Sequence, residues 1–451
     1  MFGNSKINFN DTIYAPASSP QKSGVIIIRV SGTKVPEVIS KLSCSITTPR
    51  YATLTNIYHP VTQQLIDQPI AIYYKSPHSF TGEDVLELNL HGSRAIVKLT
   101  MNALASIDDL RIAEPGEFSM RSFMNGKMDL TQVEGLADLI DAETEAQHRQ
   151  AFKQMSGSLK EVYYGWRQRL LKIISLLEAN IDFPDEDIPL ETIDETKQKI
   201  KTLSQNIDEH LKDKEKGQKL RDGLYVAILG PTNVGKSSII NRIAKKDVAI
   251  VSQIEGTTRD VIEINLDIRG YPVAIADTAG LRESKDTLEN EGIKRSLERA
   301  KDADLKIIVV DATQNHKKQQ HALDLIDEKT IIVINKADLV SKVIKDKIKD
   351  KQALVISAKE NKGIDNLIKT IAEYTEKFFE NLNAYPLITR QRYRENLLEC
   401  SKILHHLNLD GDIVLAAEDM RVAANHIGSI TGEIDVESIL GEIFSNFCIG
   451  K

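Results

Sequence analysis

One octapeptide constrains this chain more than any other feature. Gly230-Pro-Thr-Asn-Val-Gly235-Lys236-Ser237 fits G-x-x-x-x-G-K-[ST]. It follows an apolar run, Leu224–Leu229, with the make-up of a buried strand, and it precedes a helical stretch. In that context the glycines let backbone N–H groups wrap phosphates, and the helix turns its positive end toward them. Lys236 is placed to neutralise the β- and γ-phosphates, and Ser237 to ligate Mg²⁺.

Strand-like runs recur at 261–268, 271–276, 305–311, 330–335 and 354–357, with helical stretches between most of them. That alternation predicts a mostly parallel sheet with helices on both faces. The loops after these strands carry chemistry. Asp277 ends one strand, where it can hold a Mg²⁺-bound water, and Gly280 can offer its N–H to the γ-phosphate. Asn335-Lys336-Ala337-Asp338 follows another. Guanine presents N1–H and N2–H₂ side by side, a pair of donors that one carboxylate accepts and that adenine lacks. Asp338 therefore selects guanine, with Lys336 lying over the base. Ser357-Ala358-Lys359 brings a backbone N–H to guanine O6, and Thr258 in Gly256-Thr-Thr-Arg-Asp260 is the expected second Mg²⁺ ligand. Motifs in this order predict a GTP/GDP switch domain.

The flanks have other textures. Residues 1–125 mix β-like runs (25–30, 70–74, 85–90) with a helical stretch at 95–107, an α+β domain. Leu130, Val133, Leu136, Ala137 and Ile140, and later Leu170, Ile173, Ile174, Leu177 and Ile181, recur at helical spacing. An acidic, proline-containing break at 180–189 is followed by a Lys- and Glu-rich helix that reads as a solvated face. Residues 378–451 are helical again. The expected organisation is a multidomain α/β and α protein: residues 1–125, then a helical domain (126–222 and 376–451) interrupted by an inserted P-loop domain (223–375).

Composition excludes other classes. Hydrophobic residues are 41% and aromatics 5%, so large aromatic platforms for single-stranded nucleic acid are not expected. The net charge of -7 leaves nucleic-acid binding to a local patch. Cys44, Cys400 and Cys448 are too few and too scattered for a disulfide framework. The opening residues carry no targeting pattern and no apolar run approaches about 18 residues, so a cytoplasmic location without membrane is expected. The ten histidines, His405 and His406 included, show no ligand spacing.

The motifs GPTNVGKS, GTTRD, DTAGLRE and NKAD resemble those of translation-factor-related GTPases that lack the glutamine after DTAG; Leu281 stands in its place. TGEDVLELNLHGS (81–93), AEPGEFSMRSFMNGKMDLTQVEGLADLI (113–140) and FCIGK (447–451) resemble the MnmE, or TrmE, family, from Asp11 to the last residue. The resemblance implies an N-terminal domain that dimerises and binds a tetrahydrofolate derivative, 5-formyl- or methylene-. It implies a homodimer and a heterotetramer with the FAD-dependent protein MnmG (GidA). Together these install a (carboxymethyl)aminomethyl group at C5 of the wobble uridine of certain tRNAs, with one carbon from the folate and nitrogen from glycine or ammonium. It places Arg29, Glu87, Lys127 and Lys451 at the folate. It surrounds K⁺ with Asn233, the carbonyls of Ser252 and Ile254, and Thr257. It makes Glu289 the water-positioning group, so the catalytic set is Glu289, Lys236 and Thr258.

The full nucleotide set is then Asn233, Val234, Gly235, Lys236, Ser237, Ser238, Ser252, Ile254, Gly256, Thr257, Thr258, Asp277, Thr278, Ala279, Gly280, Asn335, Lys336, Asp338, Ser357, Ala358 and Lys359. Cys448 is either a small apolar residue or a functional thiol. The family pattern is departed from twice, at SSPQKSG (18–24), which has fewer glycines, and at HGS (91–93), where HGG is usual. Arg390, Arg392, Tyr393 and Arg394 read as a solvated helix face, with tRNA contact as the other option. The alternative to a tRNA-modifying enzyme is a ribosome-assembly or regulatory GTPase that acts only as a binding switch.

Overall fold

Apolar residues alternate along Val25–Ser31 and Val85–His91 but run continuously along Leu224–Leu229 and Leu305–Asp311, so the first pair keeps one partly polar face while the second is packed on both. In the computed structural model, the residues described are 10–19, 21–182, 190–213, 215–246, 263–277, 303–314, 319–340, 348, 351–380, 386–434, 440, 443–444, 447 and 450. The chain divides into two compact units, one of residues 1–137, 155–178 and 420–451, the other of 138–154 and 179–419.

In the first unit the strands are β1 (Thr12–Pro16), β2 (Val25–Ser31), β3 (Thr53–Leu54), β4 (Ile57–Tyr58), β5 (Leu65–Asp67), β6 (Ile70–Tyr74), β7 (Val85–His91) and β8 (Leu110–Ile112). Among the described residues, six form a sheet in the order β3-β6-β7-β2-β1-β8, while β4 and β5 pair separately. Its ladders are antiparallel except β1 with β8. Ile28 and Val30 of β2 and Leu86, Leu88 and Leu90 of β7 are buried against Val38 of the helix Val35–Lys41 and Leu104 of the helix Arg94–Ala105. Burying each such side chain contributes about 2 kcal/mol. The intervening residues point to the other face, where the register sets Arg29 opposite Glu87. The helix Glu117–Met124 begins at Gly116, whose φ of 69° and contact with the Phe444 carbonyl leave no room for a side chain. Phe444 and Phe447 pack with Met120 and Val133, which returns the C-terminal segment to this unit.

The expected helical boundary at Ala95 falls one residue earlier. Ser93 caps the helix Arg94–Ala105 by accepting from the Ile96 N–H at 3.2 Å. The two departures from the family pattern sit side by side. Ser23 donates its N–H to the Gly92 carbonyl, and a Cβ on Gly92 would strike Ser23.

In the second unit the strands are β9 (Leu224–Leu229), β10 (Glu263–Ile268), β11 (Tyr271–Asp277), β12 (Leu305–Asp311), β13 (Thr330–Asn335) and β14 (Ala353–Val355), in the order β10-β11-β9-β12-β13-β14. The β10–β11 pair is antiparallel and the other ladders are parallel, as the alternation predicts. Val226, Ile228, Ile307 and Val309 face the helices Lys236–Ala244 and Ile364–Phe379. Ala227, Leu229, Ile308 and Val310 face the short helix Gln320–Leu323. The strand expected to reach Ser357 ends at Val355, because Ser357 turns back to bridge Lys362.

The helix Leu190–Leu211 pairs with Gln391–His406. Asp208 accepts from Ser401 Oγ at 2.5 Å and lies 2.8 Å from His405 Nε2. His406 bonds only as far as its own helix, to the Lys402 carbonyl, and no group of three or more His, Cys, Asp or Glu fit to hold a metal occurs among the described residues. The Arg390–Arg394 cluster is not a solvated face. Tyr393 is fully buried, Arg390 bonds Asp138 at 2.6 Å, and Arg394 pairs with Asp213 and the Leu211 carbonyl. Its charges fasten helices together, a use that one-dimensional clustering does not reveal. Cys44 and Cys400 are buried, free thiols, each pushed up to about 12 by burial.

Candidate functional site

The glycine loop leaves β9 at the carboxyl edge of the sheet, where open α/β folds bind ligands. Gly230, Asn233 and Gly235 take φ values of 152°, 60° and 97°. Asparagine enters the left-handed region at less cost than other side chains. A Cβ on Gly230 would strike the Val309 carbonyl, and one on Gly235 the Asn335 amide. Val234, 1% exposed, anchors the loop in the core. Lys236 Nζ folds back to the carbonyls of Gly230 at 2.7 Å and Pro231 at 2.9 Å. An ammonium held by backbone carbonyls at a helix N-terminus is a donor set that fits phosphate. Ser237 and Ser238 are exposed in the first turn of that helix.

Asn335 ties two loops together. Its Nδ2 donates to the Val234 carbonyl at 2.8 Å, and its Oδ1 accepts from the Ala358 N–H at 3.1 Å. Lys336 follows at φ 64°, and Asp338 lies in the turn Ala337–Leu339. Asp338 Oδ1 accepts from Ser357 Oγ at 2.6 Å, and that hydroxyl holds its carboxyl below the usual carboxylate range. An ionised carboxylate is an acceptor only, as two adjacent ring donors require. The structure thus brings Asn233, Val234, Gly235, Lys236, Asn335, Lys336, Asp338, Ser357, Ala358 and Lys359 to one edge of the sheet. Asp277 ends β11. Its side chain lies outside the described residues, as do Ser252, Ile254, Gly256, Thr257, Thr258, Thr278, Ala279, Gly280 and Glu289.

A second cluster occupies the polar face of the N-terminal sheet. Arg29 bonds Glu87 at 2.7 Å, and the Tyr74 hydroxyl reaches the same carboxylate at 3.5 Å. The guanidinium lies 5.4 Å from the Phe80 ring centre and 5.6 Å from that of Phe118. Lys127 Nζ donates to the Pro77 carbonyl at 3.0 Å, on the loop that carries Phe80. Gly450 lies against Pro16 at the end of β1; Cys448 and Lys451 lie outside the described residues. Paired donors and acceptors beside aromatic rings suit a flat heterocycle. Phe80, Phe118 and Tyr74 have no signal in the sequence, because a loop, a helix and a strand bring them to Arg29 from separate places in the chain.

A P-loop joined through one asparagine to a loop that holds an ionised carboxylate is the arrangement of a P-loop GTPase. The family model for the MnmE helical domain matches residues 130–448, and that for the GTP-binding protein TrmE N-terminus matches 12–127. The chain belongs to the MnmE family. The tRNA modification GTPase MnmE of Rickettsia bellii (strain OSU 85-389) is 49% identical over 445 residues, 98% of this chain and 100% of that protein. The protein of that name from Orientia tsutsugamushi (strain Boryong) is 46% identical over 444 residues, 98% of this chain and 99% of its own length. Among solved structures, the G domain of the T. maritima FeoB iron transporter is 23% identical, with a TM-score of 0.27, over 34% of this chain and 98% of that one.

Proposed function

We infer that this chain hydrolyses GTP and that the hydrolysis serves tRNA modification. The observation that carries the reading is the bond network in which Asn335 links the phosphate loop to the loop of Ser357, and Ser357 holds Asp338 ionised. The reaction proposed is installation of the (carboxymethyl)aminomethyl group at C5 of the wobble uridine of certain tRNAs. The assembly proposed is a homodimer joined with MnmG, which carries FAD, in the cytoplasm. Among the described residues no helix is long and apolar enough to cross a membrane. Residues 1–125 bind the folate and dimerise, 223–375 form the G domain, and 126–222 with 376–451 form the helical domain.

Lys236 turns from the carbonyls of Gly230 and Pro231 to the β- and γ-phosphates, and Ser237 and Thr258 hold Mg²⁺. Asn233, the carbonyls of Ser252 and Ile254, and Thr257 hold K⁺; the exposed, left-handed position of Asn233 in the loop supports its part. With Leu281 where a glutamine stands elsewhere, Glu289 orients the attacking water. Arg29, Glu87, Lys127 and Lys451 hold the tetrahydrofolate, and the return of Gly450 to β1 supports the place of Lys451. The folate supplies a one-carbon unit when bound.

Mass spectrometry of wobble uridines in a deletion strain tests the whole reading. Loss of the C5 modification is expected; an unchanged pattern would leave a binding switch in ribosome assembly or regulation. GTPase rates should rise in K⁺ over Na⁺, and equal rates would remove the ion site. Glu289→Ala should slow single-turnover hydrolysis at least roughly tenfold while GTP still binds. Glu87→Ala should lose 5-formyltetrahydrofolate binding by calorimetry and keep GTP turnover; unaltered folate binding would break that assignment.

A further inference from the structure

We propose that Arg242 and Asp311 are positioning residues for guanine recognition, outside the motifs that touch the nucleotide. The inference rests on reading 335–338 and 357–359 as the base loops.

Arg242 lies on the helix Lys236–Ala244, which begins at the phosphate loop. Its Nε donates to the Ala358 carbonyl at 2.8 Å, and its Nη2 donates to the Lys359 carbonyl at 2.8 Å. One planar guanidinium therefore grips two successive carbonyls. Peptide groups are planar, so fixing those carbonyls fixes the N–H groups on their opposite edges. The Lys359 N–H belongs to the first of these planes and the Glu360 N–H to the second. Ser357 Oγ accepts from the Glu360 N–H at 3.1 Å and donates to Asp338 at 2.6 Å. Arg242 thus sets, from behind, both the loop that offers an N–H to guanine O6 and the hydroxyl that holds Asp338.

Asp311 ends β12 opposite Asn335. It is 4% exposed, and its Oδ2 accepts from Lys336 Nζ at 2.7 Å. Its Oδ1 accepts from the Thr313 N–H at 2.9 Å and from Thr313 Oγ1 at 2.6 Å, so the carboxylate cannot swing. Burial opposes its charge, but Lys336 and Thr313 outweigh burial and keep it ionised. With the ammonium pinned at its far end, Lys336 offers its apolar stem to the face of the base.

The test is nucleotide binding by the full-length protein, with GDP and 6-thio-GDP, whose sulfur is a weaker acceptor than O6. Arg242→Ala should lose roughly tenfold in GDP affinity, the effect of one charge-assisted hydrogen bond. The wild type should prefer GDP to 6-thio-GDP, and Arg242→Ala should lose most of that preference. Arg242→Lys, which keeps the charge and one bond, should fall between and decides the matter where the alanine variant does not fold. Asp311→Asn should weaken GDP binding, yet add nothing to Lys336→Met. An unchanged GDP to 6-thio-GDP ratio together with additive losses would overturn the inference. Asp338→Asn separates the two failures. No move toward xanthine nucleotides would bring down the base-site reading, whereas a clear move with unchanged Arg242 ratios would bring down this inference alone.

Discussion

The two candidate sites are built in opposite ways. In the second unit the groups come from short runs of neighbours, and most of the recognition is backbone shape: a loop that needs left-handed φ at Asn233 and Gly235, and a turn that presents Asp338. In the first unit the groups are far apart in the chain. Arg29 and Glu87 are 58 positions apart, and Arg121 reaches across 38 positions to Glu83. There the charges are already neutralised by one another. Asp11, Arg111, Glu117, Arg121 and Glu83 form an alternating chain with successive contacts of 3.0, 2.7, 3.0 and 3.0 Å, and Glu117 and Arg121 are buried. A phosphate loop is preorganised by conformation and waits for its ligand's charge. The N-terminal cluster is preorganised by mutual pairing, so a ligand there must share or displace existing partners.

Four measurements break or sharpen that contrast. The largest effect is expected where a single atom reads the base. Asp338→Asn replaces an acceptor with a donor, and the GTP to XTP preference should shift by roughly 10⁴-fold, the scale on which polar sites reject a mismatched group. A variant that still prefers GTP in competition would show that the contiguous loops do not form the base site.

Next is the paired network. Arg121→Met should destabilise the N-terminal unit by about 3 kcal/mol in urea unfolding, because buried carboxylates lose a partner. Glu117 is held below the usual carboxylate range: burial acts against its charge, but Arg111, the Glu114 N–H and Arg121 together outweigh it. A cost well under about 1 kcal/mol would mean that the network behaves as a solvated surface.

Acid should separate the units. His210 is 2% exposed, and burial pushes its imidazole from 6.5 down to about 4, with Asp213 opposing and Arg394 assisting. Its folded pKa is lower than its unfolded one, so between pH 6.5 and about 4 the unfolded chain takes up a proton that the folded chain refuses. Its contribution is complete above pH 6.5 and is lost as pH falls toward 4. His210→Gln should flatten that limb by about 3 kcal/mol. The Glu117 network obeys the same rule in a more acid window: its contribution is complete above the ordinary carboxyl value of 4.5 and is lost as pH falls from there through the lowered value. If the first unit loosens before the second on acidification, this ordering is wrong.

The smallest effect concerns the departure at HGS. Ser93→Ala should cost about 1 kcal/mol by removing the cap on the helix Arg94–Ala105, and Ser93→Gly only a few tenths. Equal stability of Ser93→Ala and the parent in thermal melts would deny the serine that role.

The nucleotide edge was legible in one dimension because its chemistry is local. A glycine loop, a strand-end Asp and a following SAK turn each sit within a few residues, and the apolar runs 224–229, 305–311 and 330–335 announce the sheet that aligns them. Local spacing therefore determined the P-loop sheet and the loops at its carboxyl edge. Tertiary structure decided what spacing cannot. It placed Tyr393, Arg390 and Arg394 in a buried fastening rather than on a solvated face. It also set Phe80 and Phe118 over Arg29, and brought Arg242 behind residues more than a hundred positions away. The reason is physical: a buried charge is tolerated only beside its partner, and which partner that is depends on strand register and helix packing, neither of which is written at any one place in the chain.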